Sequence, residues 1–127
     1  MSTQPLKILN VARDESLLKS RSAILEGAGY EVVPALTILK VQAACESQSF
    51  DLVIIGYALP KDEKRRVMVA VRKSCGLTPI LELYSPGTVP VDQEADEELV
   101  TRGEADVLLA KVKELLAKPR KRRQVAR

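Results

Sequence analysis

The stretch FDLVIIGYALP, residues 50–60, decides the fold. Leu52, Val53, Ile54 and Ile55 form an unbroken apolar run, and Tyr57 follows past Gly56. The run is too short and too β-branched to make a helix of its own. Asp51 opens it, and Gly56 with Pro60 closes it. This pattern predicts a strand buried on both faces, the central strand of a parallel sheet. In open α/β sheets the chemistry sits just beyond the carboxyl ends of such strands. Gly56 stands at that point, and glycine has no side chain to offer.

On the amino-terminal side, LKILNV (residues 6–11) reads as a first strand. Asp14 is a plausible N-cap for a helix running to about Glu26, with Leu17, Leu18, Ile24 and Leu25 on one face. Gly27 and Gly29 stop that helix. EVVPAL (residues 31–36) holds a second strand, and Pro34 makes it an edge because proline cannot donate to a ladder. Residues 37–48 predict a weakly amphipathic helix through Leu39, Ala43, Ala44 and Cys45.

On the carboxyl side, Pro60 and Asp62 start a helix whose inward face is Val67, Met68, Ala70 and Val71. Asp62 and Glu63 lie at its positive end and Arg72 and Lys73 at its negative end, as the macrodipole favours. A fourth strand covers residues 78–83, and SPGTVP (residues 85–90) is a loop. A short helical turn is expected at residues 92–95, then a brief strand near Leu99 and Val100. The last helix, residues 104–118, has the stripe Leu108, Leu109, Val112, Leu115 and Leu116 and ends at Pro119. Five βα units with right-handed crossovers assemble as an α/β doubly wound, flavodoxin-like sheet. Its expected strand order is 2-1-3-4-5, with helices on both faces and a shortened fourth helix.

With 127 residues, 46% apolar and 29% charged, the chain is sized and composed as one globular domain. It contains no histidine, which removes the commonest general base and zinc ligand and excludes a phosphohistidine relay. No P-loop, GxGxxG or nucleophile elbow is present, so neither an enzyme nor a nucleotide, flavin or metal cofactor is expected. The absence of a leader or long apolar run predicts a cytoplasmic protein with no membrane span. Cys45 and Cys75 are expected as reduced core thiols in that setting. The charge of +3 belongs to the end of the chain. KPRKRRQVAR, residues 118–127, carries six basic and no acidic side chains, and removing those six leaves the body at −3. The expected organisation is one domain over residues 1–117 and a basic, disordered tail over 118–127.

In this order and spacing the segments KILNVARDESLL, GYEVV, DLVIIGYALP, TPILELYS and EADEELVTRGEADVLLAKVKELL resemble the receiver domain of bacterial two-component response regulators. The resemblance covers essentially residues 7–116. In that family two acidic residues after the first strand bind magnesium, and an aspartate ending the third strand takes a phosphoryl group. A Ser/Thr after the fourth strand and a Lys after the fifth contact the phosphoryl group. By this resemblance the acidic pair falls on Ala12 and Arg13, the aspartate on Gly56, the hydroxyl on Tyr84 and the lysine on Thr101. All five positions depart from the family's pattern, and its switch aromatic is replaced by Glu98.

Physically, Gly56 supplies no nucleophile for phosphoryl transfer. Ala12 offers magnesium no oxygen, and Arg13 brings positive charge to the cation's place. Asp14 alone is a poor site and is taken up as a helix cap. Asp51 is the other carboxylate nearby, but it stands at the wrong end of its strand. These losses imply a degenerate pseudo-receiver whose pocket is rebuilt without charge, with Tyr84 filling the crevice. Arg13 could bind an anion; the alternative is an exposed side chain paired with Asp14 or solvent.

Three functions follow as expectations. The first is phosphorylation-independent contact with a signalling protein, or with a second copy as a homodimer. Its surface would be an acidic patch (Asp92, Glu94, Asp96, Glu97, Glu98) facing Lys111 and Lys113, though these charges could equally be ordinary solvated surface. The second is a phosphorelay regulator with non-standard chemistry. The third is sequence-independent nucleic-acid binding through the basic tail, the alternative being a solubilising or linker-like tail.

Overall fold

The structure, a computed structural model, describes residues 5–88, 95–101 and 103–117. Nine elements follow in order: β1 (Lys7–Val11), α1 (Glu15–Gly27), β2 (Glu31–Ala35), α2 (Ile38–Ser47), β3 (Leu52–Ile55), α3 (Lys61–Ser74), β4 (Ile80–Tyr84), β5 (Glu97–Val100) and α4 (Ala105–Ala117). The five strands form one parallel sheet in the order β2-β1-β3-β4-β5. The expected sheet and strand order are therefore the observed ones, and β2, with its exposed Pro34, is an edge; the expected shortened fourth helix falls between β4 and β5, where the described residues are not helical and residues 89–94 lie outside the described ones.

Strand alternation divides the core into two layers. Leu9, Val11, Val53 and Ile55 pack with Val41, Val67, Met68 and Val71 of α2 and α3. Ile8, Leu52, Ile54, Leu81 and Leu83 pack with Leu25, Leu108, Val112 and Leu115 of α1 and α4. All four residues of β3 are fully buried, as a central strand covered by helices on both sides requires.

Local chemistry sets the ends of the helices. Asp14 caps α1 by accepting from the amides of Ser16 (2.7 Å) and Leu17 (3.2 Å). Gly29 leaves α1 at φ 99°, which lets the Tyr30 amide return to the Leu25 carbonyl. Thr37 caps α2 through the Lys40 amide. The charges of α3 follow its macrodipole, with Asp62 and Glu63 first and Arg72 and Lys73 last.

Of four expectations, three change and one falls almost wholly outside the described residues. The short helical turn at residues 92–95 lies outside the described residues except for Ala95, which is not helical. The described residues between β4 and β5 hold only a turn, closed by Thr88 bonding back to the Ser85 carbonyl. Leu39 is not on the inner face of α2 but 76% exposed; Val41, Ala44 and Cys45 are the buried residues of that helix. The fourth strand begins two residues later than expected, because Thr78 bonds back to the Cys75 carbonyl and closes the end of α3.

Fourth, the cysteines are not thiols. Cys45, in the last turn of α2, and Cys75, at the C-cap of α3, form a disulfide with their Cα atoms 5.1 Å apart. The two meet because α2 and α3 lie side by side on one face of the sheet, which brings their ends within disulfide range. No helix among the described residues is long and apolar enough to cross a membrane. The tail at residues 118–127 lies outside the described residues.

Candidate functional site

The carboxyl ends of β1, β3, β4 and β5 meet at one edge of the sheet. Val11 pairs with Ile55, Ile55 with Glu82, and Tyr84 with Val100. Ala12, Arg13, Gly56, Tyr84 and Thr101, the positions the resemblance implies, thus lie along this edge. Asp51 stands at the opposite end of β3, its Oδ2 accepting from the Lys7 amide at 2.8 Å.

Each of the five has a local partner or a reason to be silent. Ala12 is buried, and its amide donates to the Ala35 carbonyl. Arg13 is exposed and donates to Glu63 Oε1 at 2.9 Å, so neither Asp14 nor an external anion is needed to compensate it. The Gly56 amide donates to the Val11 carbonyl at 2.9 Å. Thr101 is buried; its hydroxyl donates to Glu104 Oε1 and accepts from the Gly103 amide, both at 2.9 Å. Tyr84 is half-buried at the end of β4, and its carbonyl accepts from the Thr101 amide.

The crevice is not rebuilt without charge. Arg21, on α1, is only 6% exposed, and its guanidinium reaches the end of β3. A Cβ on Gly56 would lie 2.9 Å from Arg21 Nη1 and 3.4 Å from Nη2. Arg21 Nη1 donates to Asn10 Oδ1 at 3.4 Å. Asn10 is held in turn by Nδ2 donations to Ser22 Oγ (3.0 Å) and the Leu18 carbonyl (3.4 Å). The guanidinium carbon also lies 5.7 Å from the Tyr57 ring centroid, within cation–π range. Burial pushes the Arg21 pKa below its ordinary value, and Tyr57 partly opposes that. Tyr57 and Arg21, rather than Tyr84, line the small cavity that remains, about 50 Å³.

A second buried charge lies on the other face of the sheet. Glu82 of β4 is fully buried and accepts from Lys64 Nζ of α3 at 2.9 Å. The same ammonium donates to the Leu83 carbonyl at 2.7 Å. The pair fixes α3 to the end of β4, and removing either partner would leave the other charge buried without its counter-ion.

Of the expected interaction surface, Asp92 and Glu94 lie outside the described residues. Asp96 belongs to a different structure: its Oδ2 accepts from Arg72 Nη2 (2.8 Å) and the Ile80 amide (2.7 Å), tying α3 to the start of β4. Glu97 and Lys111 face each other within one chain at 3.5 Å, and Lys111 also meets Glu114 at 3.4 Å. Glu98 and Lys113 are exposed.

A magnesium ion does not fit these residues. Ala12 and Gly56 present no side-chain oxygen, and Arg13 and Arg21 are cations. No group of three or more Asp, Glu, Cys or His able to hold a metal occurs among the described residues. A hard divalent ion needs the opposite arrangement.

No protein-family model matches the sequence, and no curated protein sequence matches it. Solved structures do. The CheY-like response regulator receiver domain protein of Methanospirillum hungatei superimposes with a TM-score of 0.76 at 27% identity, over 89% of this chain and 94% of that one. Chemotaxis protein CheY4 of Vibrio cholerae does so at 0.75 and 27%, over 88% and 99%. The receiver domain of a sensor histidine kinase from Pseudomonas aeruginosa, with magnesium in its active-site cleft, reaches 0.78 at 16% identity, a likeness of fold alone. The chain has the fold of CheY-like response-regulator receiver domains. That fold is the one response regulators use in signal transduction.

Proposed function

We propose that this domain is a pseudo-receiver, a signalling module that acts through protein contact without phosphorylation or magnesium at its cleft. One observation carries the reading: at the carboxyl end of β3 there is no carboxylate, and a buried guanidinium fills the place its side chain would take. An attacking carboxylate and a bound cation both need that space. The remaining positions agree, since Thr101 has no ammonium and Ala12 no oxygen.

The contact surface in this proposal is the face made by β5 and α4, where Glu98, Lys113, Val100 and Val107 are exposed. Its partner is a signalling protein or a second copy of the domain. Because Glu97 and Lys111 already compensate each other, only Glu98 and Lys113 of the described charges proposed for this face are open to a partner. The test is incubation with a small-molecule phosphodonor and magnesium, followed by intact-mass measurement. The proposal expects an unchanged mass; a gained phosphoryl group would replace it with phosphorelay through non-standard chemistry.

A further inference from the structure

Arg21 brings a full positive charge into the core without a carboxylate to meet it. Its guanidinium forms no ion pair among the described residues, and Asn10 Oδ1, at the long distance of 3.4 Å, is its one hydrogen-bond acceptor there. A guanidinium has five N–H donors, and buried charge is costly unless paired. By contrast, the other buried cation, Lys64, has both a carboxylate and a carbonyl.

Arg21 also lines a cavity. Arg21, Tyr57, Thr101, Gly103 and Leu108 are among its lining residues, and exposed Ser20 and Gly103 mark its mouth. Its volume of about 50 Å³ exceeds the ~10–15 Å³ that one water molecule needs. The Tyr57 hydroxyl, 3.4 Å from where a Cβ on Gly103 would sit, forms no hydrogen bond to another described residue. Thr101 does not compete for a ligand, because Glu104 and the Gly103 amide engage its hydroxyl.

We propose that this cavity is a binding site for one small monovalent anion, of the size of chloride or formate, held by the Arg21 guanidinium and the Tyr57 hydroxyl. A single guanidinium neutralises a single negative charge, and the other walls offer no second cation among the described residues. The cavity has room for a small ion rather than a whole nucleotide. The anion completes the charge balance that Gly56 leaves open and joins α1 to the loop after β3. This inference goes beyond the absence of phosphorylation and does not depend on it.

The test is ³⁵Cl NMR line width on the full chain, titrated at constant ionic strength with formate as competitor. The site predicts excess broadening that formate removes in a saturable way. Arg21→Met, which keeps an unbranched apolar stem but not the charge, loses that broadening. Gly56→Asp, which brings a carboxylate to the guanidinium, loses it too. Both variants keep the basic tail, so nonspecific attraction there would survive in each. If Arg21→Met does not fold, Gly56→Asp decides by the same criterion. Absence of saturable broadening in the unmodified chain, or its persistence in Gly56→Asp, overturns the proposal.

Discussion

Gly56 and Arg21 interlock: the missing side chain of one makes room for the long side chain of the other. A substitution at Gly56 therefore tests the charge as well as the space. Gly56→Asp and Gly56→Asn add nearly the same volume, and both press on the Val11 carbonyl, 3.2 Å from the new Cβ. Only Asp gives Arg21 a counter-ion. Urea unfolding should find Gly56→Asp more stable than Gly56→Asn by about 1–3 kcal/mol, the worth of a hydrogen bond to a charged group. Equal stabilities would mean that the guanidinium is already well compensated. Lys64 and Glu82 behave differently, because they already satisfy each other. Glu82→Gln should cost roughly 3–5 kcal/mol by stranding the ammonium, and the double variant Lys64→Met with Glu82→Leu should recover most of it. A cost in the double variant as large as in the single one would contradict this account of the pair.

These charged residues were visible in the sequence as interruptions. Arg21 lies in the middle of the stripe Leu17, Leu18, Ile24 and Leu25, three and four residues from either pair. Glu82 interrupts an apolar strand, and Lys64 stands one turn before Val67 and Met68. A cation inside an apolar stripe signals either a tip that reaches solvent or a buried partner. Choosing between them needs the neighbouring strand, since Arg21 meets Asn10 from eleven residues away and Lys64 meets Glu82 from eighteen.

At the scale of elements, the strands of the sheet were legible because their apolar runs are short and punctuated by Gly, Pro and Asp. Helix α1 was legible at both ends through Asp14 and Gly29. The seam between α2 and α3 was not. Neither helix pattern says that Cys45 and Cys75 meet, and Leu39 fits the α2 stripe about as well as Val41 does. The disulfide closes a span of 30 residues, for which loop-closure entropy gives about 3–4 kcal/mol. Reduction should therefore lower the thermal midpoint of the purified domain, and the Cys45→Ala, Cys75→Ala double variant should lose its response to reductant. A midpoint indifferent to reductant in the parent would show that the bridge does not restrain the chain. Asp96 shows the same limit on reading a sequence: within an acidic run it looked like surface, yet it holds Arg72 and the start of β4.

For the whole molecule, the fold is that of a receiver, and the proposed mode of action rests on the residues at its carboxyl edge. If two copies associate through the β5–α4 face, Glu98 and Lys113 are, of the described charges proposed for this face, the two open to cross between them. Sedimentation equilibrium should then show self-association that weakens with salt and with either Glu98→Lys or Lys113→Glu, and that returns when both reversals are combined. A monomer at high concentration and low salt would leave a different protein as the partner. The more direct measurement concerns the cleft. Magnesium titration followed by backbone amide NMR should leave Ala12, Arg13 and Gly56 without saturable shifts up to millimolar concentrations; saturable shifts confined to these three residues would contradict the account.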